Sequence, residues 1–312
     1  MADRSVRILT HVPAPLLARV TERFAAAEII AVPEQGAVAA DVSGQVLLTQ
    51  AWGSPNLAEV VARGVRWVHA YGTGVNEFPF AALGDRPLTC SRGASAIPIS
   101  EWVLTMMLTA EKRIPEQWIR SPADWRITGL GGLHGKTLGL IGFGGIGQAV
   151  ATRALAFGMT VRAHRRSAAA SPIAGVEIVA ELDALLARSD HVVVAAPATP
   201  ETRHLLDRRA FSQMKPGAHL VNVARGALVD QDALREALDG DRLALASLDV
   251  CEPEPPPEGH WLYGHPKVRL SPHISWSGPR ALEWLLEPFL DNLARFLAGE
   301  PLRDRVDLER RY

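Results

Sequence analysis

Cysteine, long apolar runs and an excess of charge of either sign are all lacking in this sequence. Only Cys90 and Cys251 occur among 312 residues, which excludes a disulfide framework and offers no metal-ligand spacing. No segment approaches the roughly 20 consecutive apolar residues that a membrane-spanning helix requires. The first residues carry charges where a signal peptide would need an apolar core. We therefore expect a protein of the reducing cytoplasm.

The charge balance also excludes classes of partner. The chain has 33 basic and 34 acidic residues, a formal net charge of -1, so no global field draws it to nucleic acid or to an anionic membrane. Hydrophobic residues make up 47% and charged residues 21%, the profile of a globular protein. A length of 312 residues exceeds one ordinary core and predicts two domains.

Strand-like and helix-like segments alternate along the whole chain, which predicts parallel sheets in an α/β protein. A first series has strands near Val6–Thr10, Ile29–Val32, Val46–Leu48 and Trp67–His69, with helices at Pro15–Ala26 and Leu57–Arg63. A second series has strands near Thr137–Ile141, Thr160–Ala163, His191–Ala195, His219–Val223, Ala244–Leu248 and Val268–Leu270. A long helix over Ile97–Lys112 connects the two series, and a last helix over Pro279–Leu297 is long enough to return the chain to the first domain.

A glycine-rich turn opens the second series. Gly142, Gly144 and Gly147 follow a buried-strand pattern and precede a helix, with a further strand at the expected distance. In a dinucleotide-binding loop the first glycine allows the tight turn, the second lets a pyrophosphate approach, and the third lets helix and strand pack closely. The alternative is a purely structural turn, but the complete strand–loop–helix–strand context favours dinucleotide binding.

The residues after the next strand indicate which dinucleotide is bound. An NAD site carries an acidic residue there for the ribose hydroxyls, yet no acid occurs between Asp124 and Glu177. The position is Arg165, followed by Arg166 and Ser167, whose side chains can bind a 2′-phosphate. The alternative is a solvated basic turn. We predict NADP as the cofactor, with NAD as a second option.

Three residues at later strand ends offer the chemistry of carbonyl reduction. Arg225, in LVNVARGALVD, supplies a cation for a carboxylate and a carbonyl. His273, in RLSPHISW, supplies a proton donor, and Glu254, in SLDVCEPEP, a carboxylate that favours its charged form. Taken singly, each could instead be a strand-end charge, a loop acid or a packed loop histidine.

The segments GFGGIG, APATPETRHLL, VNVARGALVD, LDVCEPEP and SPHISW resemble, in this order, the signature segments of the D-isomer-specific 2-hydroxyacid dehydrogenase family. The resemblance runs from about Trp67 to the C-terminus. It implies that Arg225 binds the substrate carboxylate, that His273 is the acid/base and that Glu254 pairs with it. AYGTGVNEF resembles the family's carboxylate-binding loop, with Thr73 and Gly74 at the matching positions. The resemblance also implies further cofactor-binding positions, namely Gly145, Ile146, Pro197, Thr202, Ala224 and Asp249.

The resemblance implies a fold and a reaction. We expect two Rossmann-like, doubly wound parallel-sheet domains with the active site between them. Residues 1–100 plus 281–312 would form the substrate domain and residues 101–280 the dinucleotide-binding domain. The expected reaction is hydride transfer between NADP(H) and a small 2-keto or 2-hydroxy acid, and the family implies a homodimer. Asn76 and Cys251 replace an aspartate and an aromatic residue that are usual in the family, which loosens any inference about substrate size.

Two other functions stay open. Formate dehydrogenase shares the fold, but that branch carries an amide where Glu254 stands. Dinucleotide-sensing corepressors of the same superfamily can keep the catalytic residues, so a binding protein without turnover is the alternative from another class. Trp52, Arg92 and Trp276 could shape the pocket or merely pack.

Overall fold

The computed structural model describes residues 5–167 and 169–312. The strands among them are β1 (Val6–Thr10), β2 (Ala27–Ala31), β3 (Val46–Gln50), β4 (Trp67–Tyr71), β5 (Leu88–Cys90), β6 (Thr137–Ile141), β7 (Thr160–His164), β8 (Val176–Val179), β9 (His191–Val194), β10 (Ala218–Asn222), β11 (Leu243–Leu248) and β12 (Val268–Leu270). The helices are α1 (Ala18–Arg23), α2 (Leu57–Val61), α3 (Ala96–Lys112), α4 (Gly145–Ala156), α5 (Leu182–Leu186), α6 (Arg208–Gln213), α7 (Gln231–Asp239) and α8 (Ala281–Ala298).

The chain divides into two compact units. The terminal unit comprises the residues up to Ser95 together with Gly278–Tyr312, and the central unit comprises Ala96–Ser277. The terminal unit holds a five-stranded sheet in the order β2-β1-β3-β4-β5, and the central unit a seven-stranded sheet in the order β12-β11-β10-β9-β6-β7-β8. Every strand pair in both sheets is parallel. The predicted fold class, two doubly wound parallel-sheet α/β units, is confirmed.

The strand order of the central sheet determines where a ligand can bind. After β6 the chain builds β7 and β8 on one side, then crosses to the other side for β9 to β12. The loops that follow β6 and β9 therefore diverge and leave a crevice at the carboxyl edge of the sheet. The glycine loop and the three candidate catalytic residues all follow strands at this edge.

Apolar residues cover both faces of the central sheet, as a parallel sheet requires. One face packs against α3 and α4 through residues such as Val103, Met107 and Val150. The other face packs against α6 and α7 through Phe211 and Leu234. These two cores hold the strands in register and leave the loops at their ends free to carry polar groups.

The C-terminal helix α8 belongs to the terminal unit. Phe289 of α8 is fully buried and its ring stacks on that of Trp67 in β4, with centroids 5.3 Å apart. Tyr71, at the end of β4, donates its hydroxyl hydrogen to the carbonyl of Leu282, the second residue of α8. Aromatic packing and a long-range hydrogen bond thus fix α8 against the strand that leads into the Gly72–Gly74 loop.

Most predicted strands and the two long helices are confirmed within a few residues. The helix predicted over residues 15–26 is shorter, because only Ala18–Arg23 is α-helical and Ala27 already pairs with Val6 in the sheet. Strands β5 and β8 were not predicted, since each is short and lies at a sheet edge. Within the described part of the chain, no helix is both long and apolar enough to span a membrane.

Candidate active site

The glycine loop after β6 has the geometry that a bound dinucleotide requires. Gly142 has φ of +96°, and a Cβ there would lie 2.6 Å from the backbone nitrogen of Ala196. A Cβ on Gly147 would lie 2.4 Å from the carbonyl oxygen of Gly142, so this glycine lets α4 approach the strand. At Gly144, by contrast, no heavy atom of the described residues lies within 4 Å of the Cβ position. This open space borders the N-terminus of α4.

The N-terminus of α4 is available to an anion. Gly144 is its N-cap, and none of the described side chains caps the helix. The first hydrogen bond of the helix runs from the nitrogen of Gln148 to the carbonyl of Gly144. The N–H groups of Gly145 and Ile146 therefore have no acceptor within the helix. The free N–H groups and the positive end of a twelve-residue helix favour phosphate at this place. The residues present therefore fit a dinucleotide pyrophosphate.

The basic turn after β7 is partly structural. Arg165 donates from Nη2 to the carbonyl oxygens of Ala169 and Ala170, at 2.5 and 3.0 Å, and from Nε to that of Ser167 at 3.1 Å. Its guanidinium lies 5.9 Å from the centroid of the Phe143 ring in the glycine loop. Arg165 thus stabilises the turn through carbonyl contacts and also packs against Phe143 of the glycine loop.

Arg166 faces the loop that follows β9. Hydrogen bonds from Thr199 and from the backbone of Glu201 itself, with a smaller contribution from the charge of Arg166, hold the pKa of Glu201 below its usual range. Thr202, in the same turn, donates its hydroxyl hydrogen to the carbonyl of Pro197 at 2.8 Å. Arg166 therefore lies close enough to the Pro197–Thr202 loop for its charge to act on Glu201.

Arg225 lies in a turn that Asn222 organises. The buried Asn222 amide donates to the carbonyl of Arg225 and accepts from the nitrogen of Ala224, both at 3.0 Å. The Arg225 side chain is half-buried, and its Nη1 donates to the carbonyl of Ala224 at 2.7 Å. Sequence reasoning missed Asn222, although a buried asparagine at the end of an apolar strand is a signal that could have found it.

The turn after β10 packs directly against the backbone of the loop after β11. A Cβ on Gly226 would lie 2.0 Å from the carbonyl carbon of Cys251 and 2.5 Å from the nitrogen of Glu252. The two backbones therefore meet in direct contact, with Arg225 on one side and Glu254 on the other. The charge of Arg225 contributes to a lowered pKa of Glu254, which places the two side chains in the same electrostatic environment.

Glu254 and His273 form a hydrogen-bonded pair. His273 Nδ1 lies 2.8 Å from Glu254 Oε2, and Glu254 Oε1 accepts from the nitrogen of Cys251 at 3.1 Å. Partial burial alone would raise the pKa of Glu254, but the hydrogen bond and charge of His273 and the Cys251 N–H outweigh it, so this pKa lies below its usual range. An ionised Glu254 orients the imidazole and directs Nε2 away from the carboxylate. Burial raises the pKa of the Cys251 thiol to about 11, which disfavours its thiolate form at neutral pH.

The His273 backbone is held in an uncommon conformation. Its φ is +54°, a region that costs free energy for a residue other than glycine. The His273 nitrogen donates to the carbonyl of Asp249 at 2.9 Å. The buried Asp249 carboxylate accepts from the Ser271 hydroxyl and from the nitrogens of Ile274 and Ser275, at 2.6, 2.9 and 2.9 Å. Asp249, which the resemblance implies is a cofactor-binding position, holds the loop of His273 through these bonds.

Thr73 and Gly74 lie in the terminal unit, in the loop after β4. Gly72, which opens this loop, has φ of +152°, and a Cβ there would lie 2.7 Å from the Cβ of Ala51. Thr73 donates its hydroxyl hydrogen to the carbonyl of Ser91 at 3.1 Å. Among the residues that the structure describes, the N–H groups of Thr73 and Gly74 have no acceptor. A pair of adjacent free N–H groups can bind a carboxylate.

Comparison with known proteins places this geometry in context. Residues 104–275, more than half of the chain, match the family model for the NAD-binding domain of D-isomer specific 2-hydroxyacid dehydrogenases. The chain is 40% identical over 214 residues to a glyoxylate reductase of Thermococcus gammatolerans. This match covers 64% of the chain but only 63% of the relative, less than two thirds of its length.

Solved structures agree over nearly the whole chain. A D-isomer specific 2-hydroxyacid dehydrogenase from Xanthobacter autotrophicus in complex with NADPH and MES is 27% identical, with a TM-score of 0.87, covering 99% of this chain and 100% of that one. An NADPH-dependent glyoxylate/hydroxypyruvate reductase from Sinorhizobium meliloti in complex with NADP and sulfate is also 27% identical, with a TM-score of 0.83 and the same coverage.

The contact at Gly226 generates the first prediction. In Gly226→Ala the added methyl group overlaps the Cys251 backbone, so the two loops must separate. We expect any reductase activity toward 2-keto acids to fall about tenfold or more while the protein stays folded. Gly264→Ala is the matched control, since Gly264 has a negative φ and open space at its Cβ position. Equal activity of the two variants, measured by NADPH oxidation, would contradict the prediction.

Proposed function

Because the chain belongs to the D-isomer specific 2-hydroxyacid dehydrogenase family, we propose that it transfers hydride between NADP(H) and a small 2-keto or 2-hydroxy acid, with reduction favoured. The observation that carries this proposal is the His273–Glu254 pair, joined at 2.8 Å, next to the Arg225 turn. These residues combine a proton donor, its carboxylate partner and a cation at the carboxyl edge of one sheet.

The proposed chemistry assigns one task to each side chain. Arg225 binds the substrate carboxylate and polarises the carbonyl, for which its planar fork is suited. His273 donates a proton from Nε2 to the carbonyl oxygen, because its Nδ1 is already engaged by Glu254. Glu254 stabilises the imidazolium form before the proton leaves. When bound, the nicotinamide supplies the hydride.

The terminal unit offers its own proposed carboxylate-binding loop. Thr73 and Gly74 offer two N–H groups without an acceptor among the described residues, which supports a role in carboxylate binding. This loop favours a ligand with a carboxylate over a neutral carbonyl compound, because a neutral ligand would leave the two donors unsatisfied. The reductases among the similar proteins support glyoxylate and hydroxypyruvate as the first candidates to test.

The NADP preference rests on the turn after β7. The glycine loop, Gly145 and Ile146 would hold the pyrophosphate, and Ala224 and Asp249 lie at the same edge of the sheet. Arg166 and Ser167 lie next to Arg165, whose guanidinium closes the turn through three carbonyl contacts. The two similar structures that contain NADPH or NADP support the same cofactor here. We therefore assign Arg165 to the shape and charge of the turn and Arg166 with Ser167 to the 2′-phosphate.

Removing the proton donor tests the proposed reaction. His273→Gln lacks a titratable group, so we expect keto-acid reduction to fall by about two orders of magnitude or more. NADPH binding, followed by fluorescence titration, should be unchanged. Glu254→Gln keeps the hydrogen bond but removes the charge, so its rate should begin to fall at lower pH than that of the wild type. Near-normal turnover of His273→Gln would refute this assignment. Tight NADPH binding without turnover of any 2-keto acid would favour the dinucleotide sensor.

The cofactor preference is tested by charge reversal. The wild type should show a higher kcat/KM with NADPH than with NADH, by about tenfold to a hundredfold, since a charge-assisted phosphate contact contributes on the order of 1 to 3 kcal/mol. Arg165→Asp and Arg166→Asp should each reverse or abolish this preference, and added salt should weaken NADPH binding more than NADH binding. Arg188→Asp, at an exposed position just after α5, is the control. A wild-type preference for NADH would show that the arginines point into solvent.

A homodimer is the assembly that we propose. The segment from Arg113 to Gly132 has only turns and one short 3-10 helix, and it is largely exposed. Its apolar side chains Trp118, Trp125 and Ile127 are 67%, 77% and 102% exposed. A cluster of exposed tryptophan and isoleucine on one segment is typical of an interface. A second copy of the chain is the proposed partner, and two buried free cysteines support a reducing, cytoplasmic location.

The mass in solution tests this assembly. Light scattering should give about twice the 33.7 kDa of one chain. The double variant Trp125→Ser with Ile127→Ser should dissociate at concentrations where the wild type does not, because it removes apolar area from the interface. Tyr263→Ser removes a 57% exposed aromatic side chain outside this segment and should leave the mass unchanged. A monomeric wild type at micromolar concentration would contradict the proposal.

A further inference from the structure

The interior of the terminal unit contains a line of polar side chains on β4 and β5 and just beyond them. Trp67, His69, Thr89 and Ser91 are all 0% exposed. Buried polar groups are costly unless they are hydrogen-bonded. Here the side chains satisfy one another, with Trp67 Nε1 at 2.9 Å and His69 Nδ1 at 2.7 Å from Thr89 Oγ1, and His69 Nε2 at 3.4 Å from Ser91 Oγ.

The direction of this network follows from its last member. A carbonyl can only accept, so Ser91 Oγ donates its single hydrogen to Leu285 and accepts from His69 Nε2. His69 therefore carries its proton on Nε2, and its Nδ1 accepts from the Thr89 hydroxyl, which in turn accepts from the Trp67 indole N–H. Burial lowers the pKa of His69 to about 3, so the ring stays neutral and this order of donors holds at neutral pH.

Ser91 connects the network to two distant segments. Its hydroxyl donates to the carbonyl of Leu285 in α8 at 2.7 Å and accepts from the nitrogen of Gly72 at 3.2 Å. Its backbone nitrogen donates to the carbonyl of Gly72 at 2.9 Å, and its carbonyl accepts from the Thr73 hydroxyl at 3.1 Å. Buried Ser91 therefore contacts the Gly72–Gly74 loop through its hydroxyl, its N–H and its carbonyl. Its hydroxyl also donates to the C-terminal helix.

These bonds determine which donors of the loop remain free. Gly72 and the Thr73 hydroxyl are engaged by Ser91, whereas the N–H groups of Thr73 and Gly74 have no acceptor among the described residues. The φ of +152° at Gly72 gives the chain the bend that makes this possible. The aromatic contact between His69 and Phe289, with centroids 5.4 Å apart, keeps α8 and its Leu285 carbonyl in place.

We propose that Ser91, held by His69 and by the Leu285 carbonyl, is a positioning residue that fixes the Gly72–Gly74 loop in the conformation that binds the substrate carboxylate. This inference rests on the proposed function, which assigns carboxylate binding to Thr73 and Gly74. Ser91 does not touch the substrate. Its contribution is to aim two backbone N–H groups, so its loss should affect recognition of the carboxylate selectively.

The test compares Ser91→Ala with Ser189→Ala. Ser189 is also fully buried and also donates its hydroxyl to a helix carbonyl, that of Leu185 at 2.7 Å, but it lies in the central unit. Each variant is assayed with a 2-keto acid that the wild type reduces and with the neutral amide of that acid. We expect Ser91→Ala to lower the acid-to-amide ratio of kcat/KM about tenfold or more, mainly through KM for the acid. The ratio of Ser189→Ala and the NADPH dissociation constants of both should stay at the wild-type value.

A second readout needs no turnover. Hydrogen exchange followed by mass spectrometry should be faster in Ser91→Ala for the peptide that contains Gly72, because its amide loses the hydroxyl acceptor. Thr89→Val removes the hydroxyl one step earlier in the network. Thr89→Val should also lower the acid-to-amide ratio of kcat/KM and speed the exchange of the Gly72 peptide, each by a smaller factor than Ser91→Ala. If Ser91→Ala does not fold, the results for Thr89→Val decide whether the network positions the loop.

The outcomes separate this inference from the proposed function. A lower ratio together with faster exchange supports the role of Ser91. An unchanged ratio in an active Ser91→Ala enzyme overturns it, and so does an equal loss for acid and amide, which is what a merely structural role would produce. If the wild type reduces no 2-keto acid, the proposed function fails and the substrate role of Ser91 fails with it. Unchanged exchange would then also refute the fixing of the loop.

Discussion

The candidate active site depends on the close contact between Gly226 and the Cys251 backbone, which is possible only because glycine has no side chain. Neighbouring parallel strands bring Arg225 and Glu254 to one edge of the sheet, but strands ~4.8 Å apart still allow the loops beyond them to diverge. Direct contact between the Gly226 position and the Cys251 backbone removes that freedom, because a Cβ would come within 2.0 Å of the carbonyl carbon. Partial burial raises the pKa of Glu254, but the bonds to His273 and Cys251 lower it, and the charge of the nearby Arg225 adds to this lowering. Backbone packing at Gly226 therefore brings the cation and the carboxylate close to each other.

Asp249, at the same edge of the sheet, stabilises the strained backbone of His273. A left-handed conformation of a histidine costs on the order of 1 kcal/mol or more, so its surroundings must favour it. The Asp249 carboxylate accepts three hydrogen bonds from Ser271, Ile274 and Ser275, and the Asp249 carbonyl accepts a fourth from His273 itself. Asp249 in turn donates its own N–H to the carbonyl of Asn222. The imidazole is thus oriented before a substrate arrives, which is the condition for efficient proton donation.

The sequence predicted the parts of this arrangement that arise from strands and glycines. Short continuous apolar segments identified β6, β9 and β10. The alternation of elements required these strands to be parallel, so their ends had to share an edge. The glycine spacing predicted the loop and the start of α4. The sequence could not predict contacts between loops, because nothing local indicates that Gly226 meets Cys251. For the same reason it did not indicate that Asp249 supports residues 271–275, or that the Arg165 guanidinium closes its own turn.

Both units use the same device to hold a functional loop. Asn222 ends β10, Asp249 follows β11 and Ser91 follows β5, and each of them is buried. Each binds the backbone of a neighbouring loop through its own side chain, so the exposed residues of that loop carry little of the packing. Because the bonds come from residues at the strand ends, each loop backbone is held before any ligand is bound.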